Sequence, residues 1–143
     1  MKRARSIHRT RATGFTLLEL LVVMVILGLL AGFVAPRYFA QVGKSETKVA
    51  RSQVQAIEKA LEIYRLETGQ LPSSEQGLDA LLTRPQNEPA WNGPYLRKAV
   101  PRDPWGRPYL FKSPGEHDEY DLYSLGKDGR PGGDGQNTDV TSW

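Results

Sequence analysis

The sequence predicts an α+β fold. A long N-terminal α-helix, with a first half apolar enough to be transmembrane, packs by its second half on a small antiparallel β-sheet, and an acidic, glycine-rich C-terminal loop follows as a candidate calcium site. Three observations carry this expectation. Phe15–Ala35 is a run of 21 residues whose single charge is Glu19, and about 20 apolar residues span the hydrocarbon core of a bilayer as a helix. From Lys44 onward apolar residues recur at helical spacing, and beyond residue 108 short runs of β-formers are separated by Pro and Gly.

In chain order, residues 1–14 (MKRARSIHRTRATG) hold five Lys or Arg and no acid, and the basic character stops at Gly14-Phe15. A secretory signal also begins with basic residues, but its apolar region covers about 7–15 residues and ends at a small-residue cleavage site. Here the run is longer, and Pro36 follows Ala35. The words G-FTLLELLVVMVILGLLA resemble the class III leader of type IV pilins and type II secretion pseudopilins, with Gly14 before the cut, Phe15 first in the mature chain and Glu19 fifth. The resemblance implies that a prepilin peptidase cuts between Gly14 and Phe15 on the cytoplasmic side and methylates the Phe15 amino group, leaving the helix attached.

Glu19 is informative in its own right. A charged side chain at mid-membrane costs on the order of 2.5–3.5 kcal/mol and normally has a partner or a function. The cation at hand is the new α-amino group of Phe15, in the same chain or a neighbouring subunit. Between subunits, that pairing would set the axial stagger of helices packed side by side in a filament. The alternative is a carboxylate near a helix end that reaches the headgroups.

The formal charge of +3 is a property of the leader. Without its five cations the chain has 14 bases against 16 acids, so the high pI is no argument for nucleic acid. Basic residues before the apolar run and a mixed body after it place the N-terminus in the cytoplasm and the body outside it. The expected location is the bacterial inner membrane, single-pass, with a periplasmic body. Cysteine is absent, so residues 36–143, enough for one small domain, have no disulfide to hold them.

Past the membrane run, Pro36 is expected to kink or loosen the helix. Gly28 and Gly32 form a small-xxx-small spacing that allows close helix approach in lipid, with flexibility of the helix as an equally good reading. Val49, Val54, Ile57, Leu61 and Tyr64 mark an apolar face, and Thr68-Gly69 followed by Pro72 is a stop signal with Gly69 as a left-handed cap. The helix is expected to continue to about residue 67, roughly 80 Å if helical throughout at 1.5 Å per residue. Residues 70–108 read as a variable loop. In it Ser73 or Ser74 caps a short helix bearing Leu78, Leu81 and Leu82, with Gln76 at capping-box spacing from Ser73. Pro85 to Pro108 holds six of the ten prolines. Trp91 and Trp105 sit in tight turns and are expected to pack on the long helix, with a sugar or partner surface as the other reading. Tyr109-Leu110-Phe111 and Tyr120 to Leu125 are the strand candidates, separated by a Pro114-Gly115 turn.

Asp128, Asp134 and Asp139 lie within twelve residues, interleaved with five glycines from Gly126 to Gly135. Calcium takes six to eight oxygens from carboxylates, amides and main-chain carbonyls, and glycines let a loop fold around an ion. The spacing is not that of an EF-hand, because Arg130 and Gly132 fall where ligands are needed. On spacing alone a solvated, turn-rich tail explains the same residues.

The words SSEQGLDALL, WNGPYL, DPWGRPY, SPG and YDLYSLGKDGRPGGDG, in this order, resemble the major pseudopilins of type II secretion systems. The likeness covers Gly14 to Trp143 and implies a pilin-like fold with structural Ca2+ in the C-terminal loop. Carried over by position, the ligands are the main-chain oxygen of Leu125 and the side chains of Asp128, Asp134, Asn137 and Asp139. It also implies a homopolymeric pseudopilus that drives export of folded proteins across the outer membrane. The implied partners are other copies of itself, minor pseudopilins, prepilin peptidase, an inner-membrane assembly platform, and lipid before assembly. A type IV pilus subunit, for adhesion, motility or DNA uptake, is the alternative, although such pilins usually carry a C-terminal cysteine pair. An enzyme is not expected, since His117 is the only histidine left after the leader and no nucleophile motif, phosphate loop or catalytic metal spacing is present.

Overall fold

A computed structural model describes residues 14–143. The basic leader, apart from Gly14, lies outside the described residues. The chain divides after Phe39 into two units. In the first, Gly14–Thr16 is non-helical and helix α1 (Leu17–Thr68) begins. Every described side chain from Phe15 to Val34 is exposed, and the stretch is long and apolar enough to cross a membrane. Pro36 lies inside α1 and does not end it.

In the second unit α1 becomes one-sided. Ala50, Val54, Ile57, Ala60, Leu61 and Tyr64 are buried, and the steps of four and three from Ala50 through Val54, Ile57 and Leu61 to Tyr64 keep one stripe on a helix of 3.6 residues per turn. Val49 does not belong to it, being 47% exposed. Five residues separate it from Val54, which at 100° per residue turns it about 140° off the stripe, and Ala50 takes the expected place. At the C-terminus Gly69 adopts φ +82°, and its N–H donates to the Arg65 carbonyl at 2.8 Å. This is the left-handed cap that the sequence implied. The Thr68 hydroxyl also donates to the carbonyls of Tyr64 and Gln70.

The loop that follows is tied down by its polar residues. Ser73 and Gln76 form a reciprocal pair: Ser73 N–H donates to Gln76 Oε1 at 2.8 Å, and Gln76 N–H to Ser73 Oγ at 3.2 Å. The short helix is a 3-10 helix over Gly77–Leu81, which buries Leu78, Ala80 and Leu81. Trp91 donates to the Ala80 carbonyl and meets Tyr95 edge-on, and Tyr95 in turn meets Tyr64 of α1. Trp105 Nε1 reaches Glu46 of α1 at 3.2 Å. Both tryptophans are thus packed against the core, as the first of the two readings expected.

Three strands, β1 (Leu110–Lys112), β2 (Asp121–Ser124) and β3 (Val140–Thr141), form an antiparallel sheet in the order β1-β2-β3. Phe111 pairs with Leu122 and Ser124 with Val140. The first strand begins one residue later than expected, because Tyr109 turns into the core and its hydroxyl donates to Gln53 of α1 at 2.7 Å. Burial, with Asp103 nearby, pushes that phenol well above its ordinary pKa.

The irregular alternation of β2 has a local cause. Asp121, on the side away from Leu122, is buried because the Pro114-Gly115 turn wraps around its carboxylate. The N–H groups of Glu116 and His117 donate to it at 2.8 and 3.1 Å, and His117 Nδ1 lies at 3.1 Å. Desolvation raises the Asp121 pKa, but these donors outweigh it and hold the carboxyl below its usual range. His117 is exposed, as expected of a turn residue, and it stacks on Trp143 with centroids 4.1 Å apart.

Two predictions follow from this packing. Leu61→Ala should cost about 2–5 kcal/mol of unfolding free energy, whereas Val49→Ala should stay within about 0.5 kcal/mol. Urea unfolding of the full chain in detergent micelles, followed by circular dichroism, compares them. The second concerns acid. A carboxyl whose folded pKa is depressed stabilises above its unfolded pKa, about 3.9, and this contribution is lost as pH falls through the folded value. Asp121→Asn should therefore be less stable than the parent at pH 6, with the gap closing as the pH is taken below the ordinary carboxylate range.

Candidate functional site

The N-terminal segment is built around a helix start. Thr16 is the N-cap of α1: its hydroxyl accepts the Glu19 N–H at 3.1 Å, and its carbonyl accepts the Leu20 N–H at 3.1 Å. Thr16 and Glu19 stand at capping-box spacing, a signal that the sequence analysis missed. A carboxylate in the first turn also faces the positive end of the helix dipole. Among the described residues no cation pairs with Glu19. Phe15 is 84% exposed, and a Cβ built on Gly14 meets nothing within 4 Å, so no described residue packs over Gly14-Phe15.

The C-terminal loop, residues 125–139, is organised by main-chain contacts. Lys127 N–H donates to the Gln136 carbonyl at 3.0 Å and Asn137 N–H to the Asp134 carbonyl at 3.1 Å. Gly126 has φ +62°, and a Cβ there would lie 2.6 Å from the Asn137 carbonyl oxygen, so only glycine lets the two limbs of the loop approach. The carbonyl of Asn137 thus faces Gly126 across the loop. A 3-10 turn at Gly135–Asn137 leads into β3.

The predicted metal ligands are placed unevenly. Asp128 is exposed, with Oδ1 accepting the Arg130 N–H at 3.2 Å, and Asp134 is exposed as well. Asp139 is half-buried. Its Oδ2 accepts the Gly132 N–H at 2.8 Å, and its Oδ1 is buried without a hydrogen-bond partner. Among the described residues no three acidic, histidine or cysteine side chains converge, so the carboxylates of Asp128, Asp134 and Asp139 are not drawn into one cluster. Chemically the loop offers main-chain carbonyls, an amide and one orphaned carboxylate oxygen, an all-oxygen donor set of the kind calcium takes.

Comparison with known proteins settles the family. The model for type II secretion system protein G matches residues 37–143, and that for the prokaryotic N-terminal methylation motif matches residues 9–35. A type II secretion system core protein G of Pseudomonas aeruginosa is 41% identical over 139 residues, covering 95% of this chain and 98% of the relative. That of Vibrio cholerae is 42% identical over 136 residues, covering 93% and 92%. The chain belongs to the type II secretion system protein G family. Among solved structures it is similar to the major pseudopilin from the type 2 secretion system of enterohaemorrhagic Escherichia coli, with TM-score 0.60 and 34% identity over 73% of this chain and 92% of the other.

A protein G is a structural subunit of the pseudopilus, and this family match supports that reading over a type IV pilus subunit. The α+β arrangement of a long N-terminal helix and a small antiparallel sheet is that of the Escherichia coli pseudopilin. The apolar helix is consistent with membrane anchoring, and the methylation motif implies processing by prepilin peptidase.

Sequence reasoning also missed a buried polar node of this chain. Asp103, 4% exposed, accepts the N–H groups of Trp105 and Arg107 at 3.1 and 2.7 Å on Oδ1 and the Ser124 hydroxyl at 2.6 Å on Oδ2. Nothing in local spacing relates Asp103 to Ser124. DPWG reads as a turn, and the partner arrives only when β2 forms.

Proposed function

We propose that this chain is a pseudopilus subunit that works by assembling and has no catalytic site of its own. The observation that carries the reading is the exposed apolar helix: from Leu17 to Val34 no side chain is buried, so the segment needs lipid around it or other helices of its kind. Before assembly lipid covers it, with the N-terminus cytoplasmic and residues 36–143 in the periplasm. After cleavage between Gly14 and Phe15 and methylation of Phe15, subunits leave the bilayer through an inner-membrane assembly platform. Their apolar helices bundle into the core of a filament that minor pseudopilins complete. Growth of that filament pushes folded proteins through an outer-membrane channel.

In the filament, the Phe15 amino group of one subunit pairs with Glu19 of its neighbour. This removes an uncompensated carboxylate from an apolar core and fixes the stagger. Glu19→Ala should therefore insert and be cleaved as the parent is but fail to polymerise. Electron microscopy of overproducing cells, alongside the mass of the processed chain, reads both steps, and normal filaments from the variant would sink the pairing.

Calcium is the structural ion of the C-terminal loop. It would be held by the main-chain oxygen of Leu125 and the side chains of Asp128, Asp134, Asn137 and Asp139, and bound it supplies positive charge to a loop that otherwise leaves Asp139 Oδ1 without a partner. Without cysteine, a domain this small gains from such a staple about 2.7 kcal/mol at a hundredfold excess of ion over the dissociation constant. Thermal unfolding of the full chain in micelles should show a midpoint raised by calcium over chelator. Asp128→Ala and Asp139→Ala should abolish the rise, whereas an equal rise in both variants would remove these residues from the ligand set.

A further inference from the structure

Arg107 is the residue that joins the buried Asp103 node to the C-terminal loop. Its main-chain N–H is fixed on Asp103 Oδ1, and its guanidinium reaches across to the carbonyls of Gly126 and Lys127, the second at 2.8 Å. Gly129, at φ +68°, lies against the guanidinium, where a Cβ would meet Nη1. Gly126 and Lys127 lie between Leu125 and Asp128, so the guanidinium engages the two carbonyls that separate two of the assigned calcium ligands. Both contacts are made by Nη2, whose two N–H groups are fixed in the guanidinium plane, whereas a lysine ammonium turns freely on a flexible stem. At the other end, Asp103 is anchored by Ser124 at the close of β2, one residue before Leu125.

We propose that Arg107 is a positioning residue for calcium: by holding the Gly126 and Lys127 carbonyls it presets the backbone of residues 125–129, so that the Leu125 carbonyl and Asp128 are presented to the ion before it binds. This rests on the calcium reading above. Two effects of the side chain oppose each other. Its positive charge repels a cation, while its hold on the backbone removes ordering that the ion would otherwise have to impose. Residues that orient metal ligands from outside typically change affinity 10–100-fold, which leads us to expect the positioning effect to win.

The test is calorimetric titration of calcium chloride into the full processed chain in chelator-treated detergent micelles, at a temperature where the calcium-free protein is folded, for the parent, Arg107→Lys and Arg107→Gln. Hydrogen exchange of the Gly126–Gly129 amides is followed without calcium. The expected result is a dissociation constant raised at least about tenfold in both variants, with faster exchange at those amides. Tighter binding in Arg107→Gln with Arg107→Lys unchanged would mean that charge repulsion dominates and overturns the proposal. A lowered calcium-free midpoint with an unchanged dissociation constant would reduce Arg107 to a purely structural role and also overturn it. If the parent itself binds no calcium, the calcium reading falls and takes this proposal with it, an outcome distinct from a parent that binds and variants that bind equally well.

Discussion

One stripe of side chains on α1, Ala50, Val54, Ile57, Leu61 and Tyr64, supports everything beyond residue 69. The three strands hold only nine residues between them, and a sheet that small is marginal unless it packs on something. It therefore depends on the helix: Leu122 and Val140 from the sheet join the same buried cluster as the stripe, together with Leu81 from the 3-10 helix. Two alanines in the α1 surface, Ala50 and Ala60, leave room for larger neighbours to approach. Tyr109 uses part of that room, its hydroxyl lying 3.3 Å from the Ala50 carbonyl.

What was legible in the sequence follows from how local each signal is. The apolar run, the helical stripe, the Gly69 cap and the Ser73–Gln76 pair depend on residues within a few positions of one another, and each appears in the structure. The errors come where a distant segment decides the outcome. Val49 seemed to fit the apolar face because a strong hydrophobe lay near the right spacing, but the stripe runs through a small residue. Strand β3 has two residues in Asp-Val-Thr-Ser-Trp and no pattern of its own. It exists because β2 offers an edge at Tyr123 and Ser124. Asp121 broke the alternation of β2 for a similar reason, since its buried carboxylate is defined by a turn that closes over it.

The candidate sites divide in the same way. Gly14, Phe15 and Glu19 are a linear motif and could be read directly, although the capping role of Thr16 needed the helix start to be known. The loop acids were visible as composition, but their individual environments were not. Asp139 owes its buried, unpartnered oxygen to its place just before β3, whereas Asp128 and Asp134 stand at turns open to water. The link from Arg107 to the carbonyls of Gly126 and Lys127, which ties the node to the loop, spans 19 and 20 residues, and no periodicity could have indicated it.

The two roles of Glu19 can be weighed against each other. As the third residue of α1 its carboxylate faces the helix N-terminus, where a favourable charge is worth about 0.3–1 kcal/mol, while the cap bond from its main-chain N–H to the Thr16 hydroxyl would form whatever side chain stood there. A charged side chain at the centre of a membrane helix costs about 2.5–3.5 kcal/mol, which is an upper bound for a position so near the end. The helix dipole thus offsets up to about 1 kcal/mol and leaves a remainder on the order of 2 kcal/mol. A glutamine there would keep the same main-chain cap bond without that remainder. On the reading proposed above, a charge in an otherwise apolar run is accounted for by a cation that arrives from outside the helix, and the amino group that processing would create at Phe15 is such a cation.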